Sequence, residues 1–180
     1  MEFKRFNKYL HAYYFPYHDY LKEFKDEITN EYYTQSQTDD KHVDIKIKNK
    51  ELEGFIQEKF NEIAESYYVL TPSTHEGNVQ AYVQNNQRNV SVWHNHIHNI
   101  GALSAITYID PPQQGGQIEF FYNEPSDIMR LQPAPNWVYF FPQWVYHRPI
   151  SQKDDLDRVC LLWVHKSNKR PVNIITGDLW

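Results

Sequence analysis

The sequence predicts a mainly β domain with flanking helices (α+β), its strands forming a sandwich or barrel. Two observations carry that prediction. After Tyr67 the apolar pattern changes from a helical period to period two, and strands and turns then run through Val164. Within that stretch, short apolar runs lie between closely spaced turn signals, which argues against alternating β-α units. The 180 residues suit a single domain around one apolar core. We expect residues 1–78 to be a helical N-terminal support and residues 79–165 the β core.

Residues 1–18 are aromatic and basic, with Tyr13-Tyr14-Phe15-Pro16, and show no repeat or motif. Residues 19–30 are predicted helical, because Tyr20 or Leu21, Phe24 and Ile28 recur at helical spacing between charges. Residues 31–44 are polar and predict an exposed loop. Residues 43–48 alternate Val43, Ile45 and Ile47 with polar side chains, as a half-buried strand does. Asn49 can cap the clearest helix, which carries Leu52, Phe55, Ile56, Phe60 and Ile63 as one stripe through Glu65. Gly54 costs that helix some stability. Val79, Ala81 and Val83 then alternate with Gln80, Tyr82 and Gln84, and Val90 and Val92 lead into Trp93. Further strands are predicted at 102–109, 117–122, 137–141, 158–164 and 172–175. The breaks are Asp110-Pro111-Pro112, Gly115-Gly116, Pro133-Ala134-Pro135 and 151–155.

Composition narrows the function classes. The net charge of -5, with no basic patch, gives no reason to expect nucleic-acid binding. Met1 to Arg5 carry no apolar signal segment, and no apolar run approaches membrane-span length. The single Cys160 cannot form an internal disulfide, which fits a reducing cytosol, and its apolar run predicts a buried small hydrophobe. The 14 Tyr predict partly wet apolar surfaces lining grooves or an interface.

The chemistry concentrates in Trp93-His94-Asn95-His96-Ile97-His98, which holds three of the nine histidines. Neutral imidazole is the commonest protein ligand for mid-row divalent metals. In an extended chain His94, His96 and His98 share one face, with Trp93, Asn95 and Ile97 on the other. His147, after the apolar run at 137–142, is the natural third donor from a distant strand. Such a set leaves coordination positions open, as an oxygen-activating Fe(II) centre requires. A lone histidine is usually packed or solvated, so His11, His18, His42, His75 and His165 receive no role. Arg158 is the second candidate. An Arg at a barrel mouth is expensive unless its planar fork holds a carboxylate. Its ordinary alternative is an ion pair with Asp154, Asp155 or Asp157.

Together these residues resemble the Fe(II)/2-oxoglutarate-dependent oxygenases, above all the prolyl-hydroxylase-like members of bacteria and tailed phages. The resembling segments are His96-Ile97-His98 with Leu103 to Ile109; Gly115-Gly116-Gln117-Ile118-Glu119-Phe120; Leu131-Gln132-Pro133 with Trp137 to Pro142; His147-Arg148-Pro149; and Arg158 to Trp163. They keep order and spacing over roughly residues 79–165. The resemblance implies a double-stranded β-helix (a jelly roll, cupin-like) with iron at its open end. It implies His147 as the distal iron ligand, Arg158 as the partner of the 2-oxoglutarate C5 carboxylate, and Tyr108 as a hydrogen-bond donor to that co-substrate. The implied activity releases succinate and CO2 and hydroxylates a C–H bond.

The chain departs from the family pattern in two places. The usual first motif, His-x-Asp or His-x-Glu, lacks its carboxylate here. Two registers are open, His96-Ile97-His98 and Trp93-His94-Asn95-His96, and His96 is common to both. Either several histidines form the site or a carboxylate such as Glu119 completes it. A small residue, as in halogenating relatives, is absent from that position. Cys160 also stands where Ser is common in the Arg-x-Ser pattern. Three functions compete: a 2-oxoglutarate-dependent hydroxylase acting on a protein side chain such as proline or on a small molecule; a cupin-type three-histidine metalloprotein that uses no 2-oxoglutarate; and a non-catalytic, metal-stabilised jelly roll. Trp137, Tyr139, Trp144 and Tyr146 are candidates to line a peptide groove or to pack the core.

Overall fold

The computed structural model describes residues 2–36, 45–69, 78–84, 92–95, 103–112, 114–122, 127–150, 157–165 and 171–177. Two antiparallel sheets face each other as a jelly roll. The larger is built from β1 (Phe3–Arg5), β2 (His11–Tyr14), β3 (Ile45–Lys46), β5 (Asn78–Gln84), β6 (Leu103–Asp110), β9 (Trp137–Pro142) and β11 (Arg158–His165), in the order β1-β2-β9-β6-β11-β5-β3. The smaller has β7 (Ile118–Phe121), β8 (Met129–Leu131) and β10 (Tyr146–Pro149), in the order β10-β7-β8. A two-stranded pair, β4 (Tyr68–Val69) with β12 (Val172–Asn173), stands apart.

Residues 1–78 supply more than helices, because three strands of the large sheet come from them. The β1–β2 hairpin turns at Asn7, whose side-chain oxygen accepts from the amides of Tyr9 at 2.7 Å and Leu10 at 2.9 Å. That self-made turn is a property of Asn. The predicted 19–30 helix is two pieces, α1 (His18–Lys22) and α2 (Lys25–Ser36). Tight i→i−3 bonds from the amides of Glu23 and Phe24 end the first piece. The loop expected from residue 31 begins instead as helix through Ser36, because Tyr32 is buried there against Tyr82. The rest of that loop lies outside the described residues.

Helix α3 (Lys50–Tyr67) starts where expected, with the Asn49 side chain accepting from the Leu52 amide at 3.1 Å. Leu52, Ile56, Phe60 and Ile63 are buried, while Phe55 packs on the flank against Tyr17 and Tyr20. Phe60 touches Phe15, Phe140 and Trp163 at ring separations of 5.3, 6.3 and 6.1 Å. α3 therefore backs the outer face of the large sheet. Burial of each such aromatic contributes about 2–3 kcal/mol.

Alternation along the strands assigns the faces. Phe140, Ala105 and Trp163 sit opposite one another across β9, β6 and β11 and face α3. Three residues along, Tyr108, Cys160 and Tyr82 form a row across β6, β11 and β5 on the other face. That inner face meets the small sheet, where the Phe141 ring lies 5.1 Å from both Phe120 and His147. Neither β8 nor β10 is among the sequence-predicted strands. No described helix is long and apolar enough to cross a membrane.

Candidate metal and co-substrate site

His147 lies in the middle of β10, opposite Phe120, and is buried between the sheets. His94 pairs with it across the strands through reciprocal backbone bonds of 3.0 and 2.9 Å. Residues 92–95 thereby extend the small sheet on its β10 side. Directly opposed residues share a face, and the two imidazole centroids are 4.4 Å apart. Each ring is oriented by its own backbone: Nδ1 of His94 lies 3.0 Å from the Val92 carbonyl, and Nδ1 of His147 lies 3.0 Å from the Val145 carbonyl. A carbonyl only accepts, so both Nδ1 atoms carry the proton and both Nε2 atoms carry the lone pair. That is the tautomer and bracing of metal-binding imidazoles. The two residues fit a shared metal ion as a donor pair.

Arg158, the first residue of β11, is buried. Its Nη1 donates to the Gly116 carbonyl at 2.7 Å, and its guanidinium carbon lies 5.9 Å from the centre of the Tyr108 ring. Its buried Nε has no hydrogen-bond partner. The nearby Asp157 accepts instead from the Tyr33 hydroxyl at 2.6 Å. Arg158 makes no ion pair with a carboxylate among the described residues, and Asp154 and Asp155 lie outside them. A buried cation with a spare donor is costly, and an anionic ligand is what repairs it. Burial raises the Tyr108 phenol well above its ordinary pKa, with Arg158 pulling the other way, so Tyr108 is a neutral donor. The Cys160 thiol is buried and donates to the Tyr82 carbonyl at 3.6 Å. It thus acts as the expected small core residue.

His96 and His98, the other two histidines of the motif, lie outside the described residues. Among the described residues no group of three or more His, Cys, Asp or Glu side chains could hold a metal. The extra carboxylate considered from sequence is misplaced. Glu119 sits opposite Arg148 and Arg130, one residue out of step with the Phe120–His147 pair, so it faces away from the histidines. It accepts 2.8 Å bonds from Nε of Arg130 and Nε of Arg148. Burial alone would raise its pKa, but those two bonds prevail and hold the carboxyl below its ordinary value.

Of the four aromatic groove candidates, Tyr139 is core and its hydroxyl accepts from the Ala134 amide at 3.1 Å. Trp137 lies under Lys4, and Trp144 packs on Tyr9. Tyr146 is exposed and lines a groove of about 370 Å³ with Trp93, Phe121 and Ile128 on the outer face of the small sheet. Sequence reasoning missed two parts of the site. Tyr82 shares the Tyr108–Cys160 row, which its polar-side parity in β5 could have revealed. The Gly116 carbonyl has no side-chain signal at all.

No family model and no curated protein matches the sequence. Solved structures do match in fold. A Pseudomonas putida prolyl-4-hydroxylase aligns with a TM-score of 0.62 at 12% identity, covering 87% of this chain and 92% of that one. The viral collagen prolyl hydroxylase of Paramecium bursaria Chlorella virus-1 aligns at 0.58 and 13%, covering 88% and 90%. AviO1 from Streptomyces viridochromogenes aligns at 0.63 and 10%, covering 88% and 90%. At these identities the likeness is one of fold.

Proposed function

We propose that this chain, built on the fold of the prolyl 4-hydroxylases it matches, is an Fe(II)- and 2-oxoglutarate-dependent oxygenase. The observation that carries the reading is the buried Arg158 guanidinium. It has a spare donor beside the neutral Tyr108 phenol and opens on the inter-sheet space into which His147 projects. Iron would be held by His94 and His147, with His96 or His98 as a further ligand. When bound, iron, 2-oxoglutarate and O2 supply a two-electron oxidation that hydroxylates a C–H bond and releases succinate and CO2. The substrate is a prolyl or other protein side chain, or a small molecule.

This chain's own groups perform the remaining tasks. Arg158 neutralises the distal carboxylate of the co-substrate, with Nε as the spare donor while Nη1 stays on Gly116. The Tyr108 hydroxyl donates to the same end of the acid. The carbonyls of Val92 and Val145 keep both imidazoles in the ligating tautomer. Phe120 and Phe141, packed on His147, exclude water from its inner side.

Anaerobic titration with Fe(II) and then 2-oxoglutarate tests this reading. A weak visible metal-to-ligand charge-transfer band is expected, followed on aeration by succinate stoichiometric with 2-oxoglutarate consumed. Iron binding with neither band nor succinate would select the three-histidine cupin alternative. Loss of folding on chelation without turnover would select the metal-stabilised jelly roll.

A further inference from the structure

We infer that Gly116, seated on the Pro112 ring, is the positioning residue that aims Arg158 and so sets the affinity and chain-length selectivity for 2-oxoglutarate. This rests on the reading of Arg158 given above. A guanidinium has five donors, yet among the described residues the hydrogen bond that fixes this one goes to a backbone oxygen, the Gly116 carbonyl at 2.7 Å. No described carboxylate orients it. The direction of the guanidinium therefore follows wherever that carbonyl stands.

The carbonyl is held by an unusual backbone path. Gly115 and Gly116 are consecutive left-handed residues, with φ of 70° and 62°. A Cβ on Gly116 would lie 2.0 Å from Cγ and 2.8 Å from Cβ of Pro112, so no side chain fits there without pushing the two segments apart. Pro112 is buried and tied down: its carbonyl accepts from Gln132 Nε2 at 3.0 Å. Asp110, two residues earlier, is paired with Lys25 of α2. On the other side, the Gln117 carbonyl accepts from the Ile150 amide at 2.7 Å, just beyond β10. The carbonyl is thus braced from β6, β8, α2 and the end of β10. The distance between Arg158 and the histidine pair is set by that frame, and the same distance selects the length of a dicarboxylic acid spanning the two.

The test is Gly116→Ala, measured by anaerobic calorimetry with Fe(II) present and with 2-oxoglutarate or its one-carbon-longer homologue 2-oxoadipate as the probe. The dissociation constant for 2-oxoglutarate is expected to rise about tenfold, the worth of one misaligned charge-assisted bond. Preference over 2-oxoadipate should shrink, while Fe(II) affinity stays within about twofold. Gly116→Ala combined with Pro112→Ala, which removes the ring Cγ but keeps the Cβ contact, should recover part of the loss. Pro112→Gly alone, which leaves residue 116 free of a side chain, should weaken 2-oxoglutarate binding several-fold and serves if Gly116→Ala does not fold. Unchanged 2-oxoglutarate affinity in a folded Gly116→Ala or in Pro112→Gly overturns the inference and leaves the proposed function standing. A parallel fall in Fe(II) affinity also overturns it, because a general collapse of the site would then explain the loss. A wild-type protein that binds no 2-oxoglutarate overturns both.

Discussion

Replacing Arg158 by Met separates the two roles a buried arginine can have. If the guanidinium exists to hold a ligand, the ligand should suffer and the apo fold should not. Nη1 is committed to Gly116 and the buried Nε is unpartnered, so a bidentate carboxylate would take Nε with Nη2. Two charge-assisted bonds at the lower end of their range, about 1.5 kcal/mol each, give about 3 kcal/mol. That is a loss of roughly a hundredfold in 2-oxoglutarate affinity. The apo protein loses one bond to a carbonyl, about 1 kcal/mol, but is relieved of a buried charge and an unpartnered Nε. The unbranched thioether fills much of the same space. The net change should therefore stay within about 1 kcal/mol, or roughly 3 °C in Tm for a chain of this size. Anaerobic calorimetry gives the first quantity and thermal unfolding by circular dichroism gives the second. The reasoning fails if Arg158→Met binds 2-oxoglutarate within about threefold of wild type, or if it loses about 3–5 kcal/mol of stability, the cost of breaking a buried ion pair.

Other substitutions probe the frame. Glu119→Gln should destabilise by roughly 1–3 kcal/mol, since two guanidiniums lose their shared carboxylate, and should leave Fe(II) affinity unchanged because that carboxylate faces away from His147; denaturant unfolding and metal titration measure the two. The wild-type contribution of Glu119, whose folded pKa lies below its ordinary 4.5, is present above that value and is lost as pH falls through the folded pKa. His165 has the opposite sense. Burial lowers its pKa, with Glu65 opposing, so the unfolded chain binds the extra proton first and stability declines as pH falls below about 6.5. His165→Gln should flatten that part of the stability-pH curve. Phe60→Ala should cost about 3–5 kcal/mol in chemical denaturation, because the ring joins α3 to both Phe140 and Trp163. Gly54→Ala, in an exposed helical position with open space around it, should add up to about 1 kcal/mol.

Side-chain chemistry was legible in the sequence where it followed a period. The α3 stripe could be read because one apolar face repeats every three to four residues, and its Asn49 cap lies where the stripe begins. The strand pattern from residue 79 marked β5, β6, β7, β9 and β11 but neither β8 nor β10. His147 could be marked as the distant partner because it follows a buried strand. What stayed illegible depends on contacts between distant segments. The β1–β2 hairpin has no alternation, since His11, Ala12 and Tyr13 are all buried. Its strand status comes from pairing with β9. Tyr32 and Tyr33 sit in a polar stretch, and only their meetings with Tyr82 and Asp157 extend the helix. Glu119 looked eligible because a sequence shows which strand follows but not which residue stands opposite His147. That residue is Phe120, and its neighbour must face the other way.

The polar cluster behind the large sheet bears on when the fold can close. Asn173 Nδ2 donates to the Tyr13 hydroxyl and lies against Nδ1 of His11, both at 3.1 Å, and Tyr13 in turn donates to Tyr68 at 3.0 Å. The first of these bonds spans 160 positions. During synthesis the phenols and the imidazole emerge long before the amide that joins them. That seam on the earliest strands therefore stays open until Asn173 has left the ribosome. A chain cut before Asn173 would keep every strand of the two sheets but leave the rear seam unfastened.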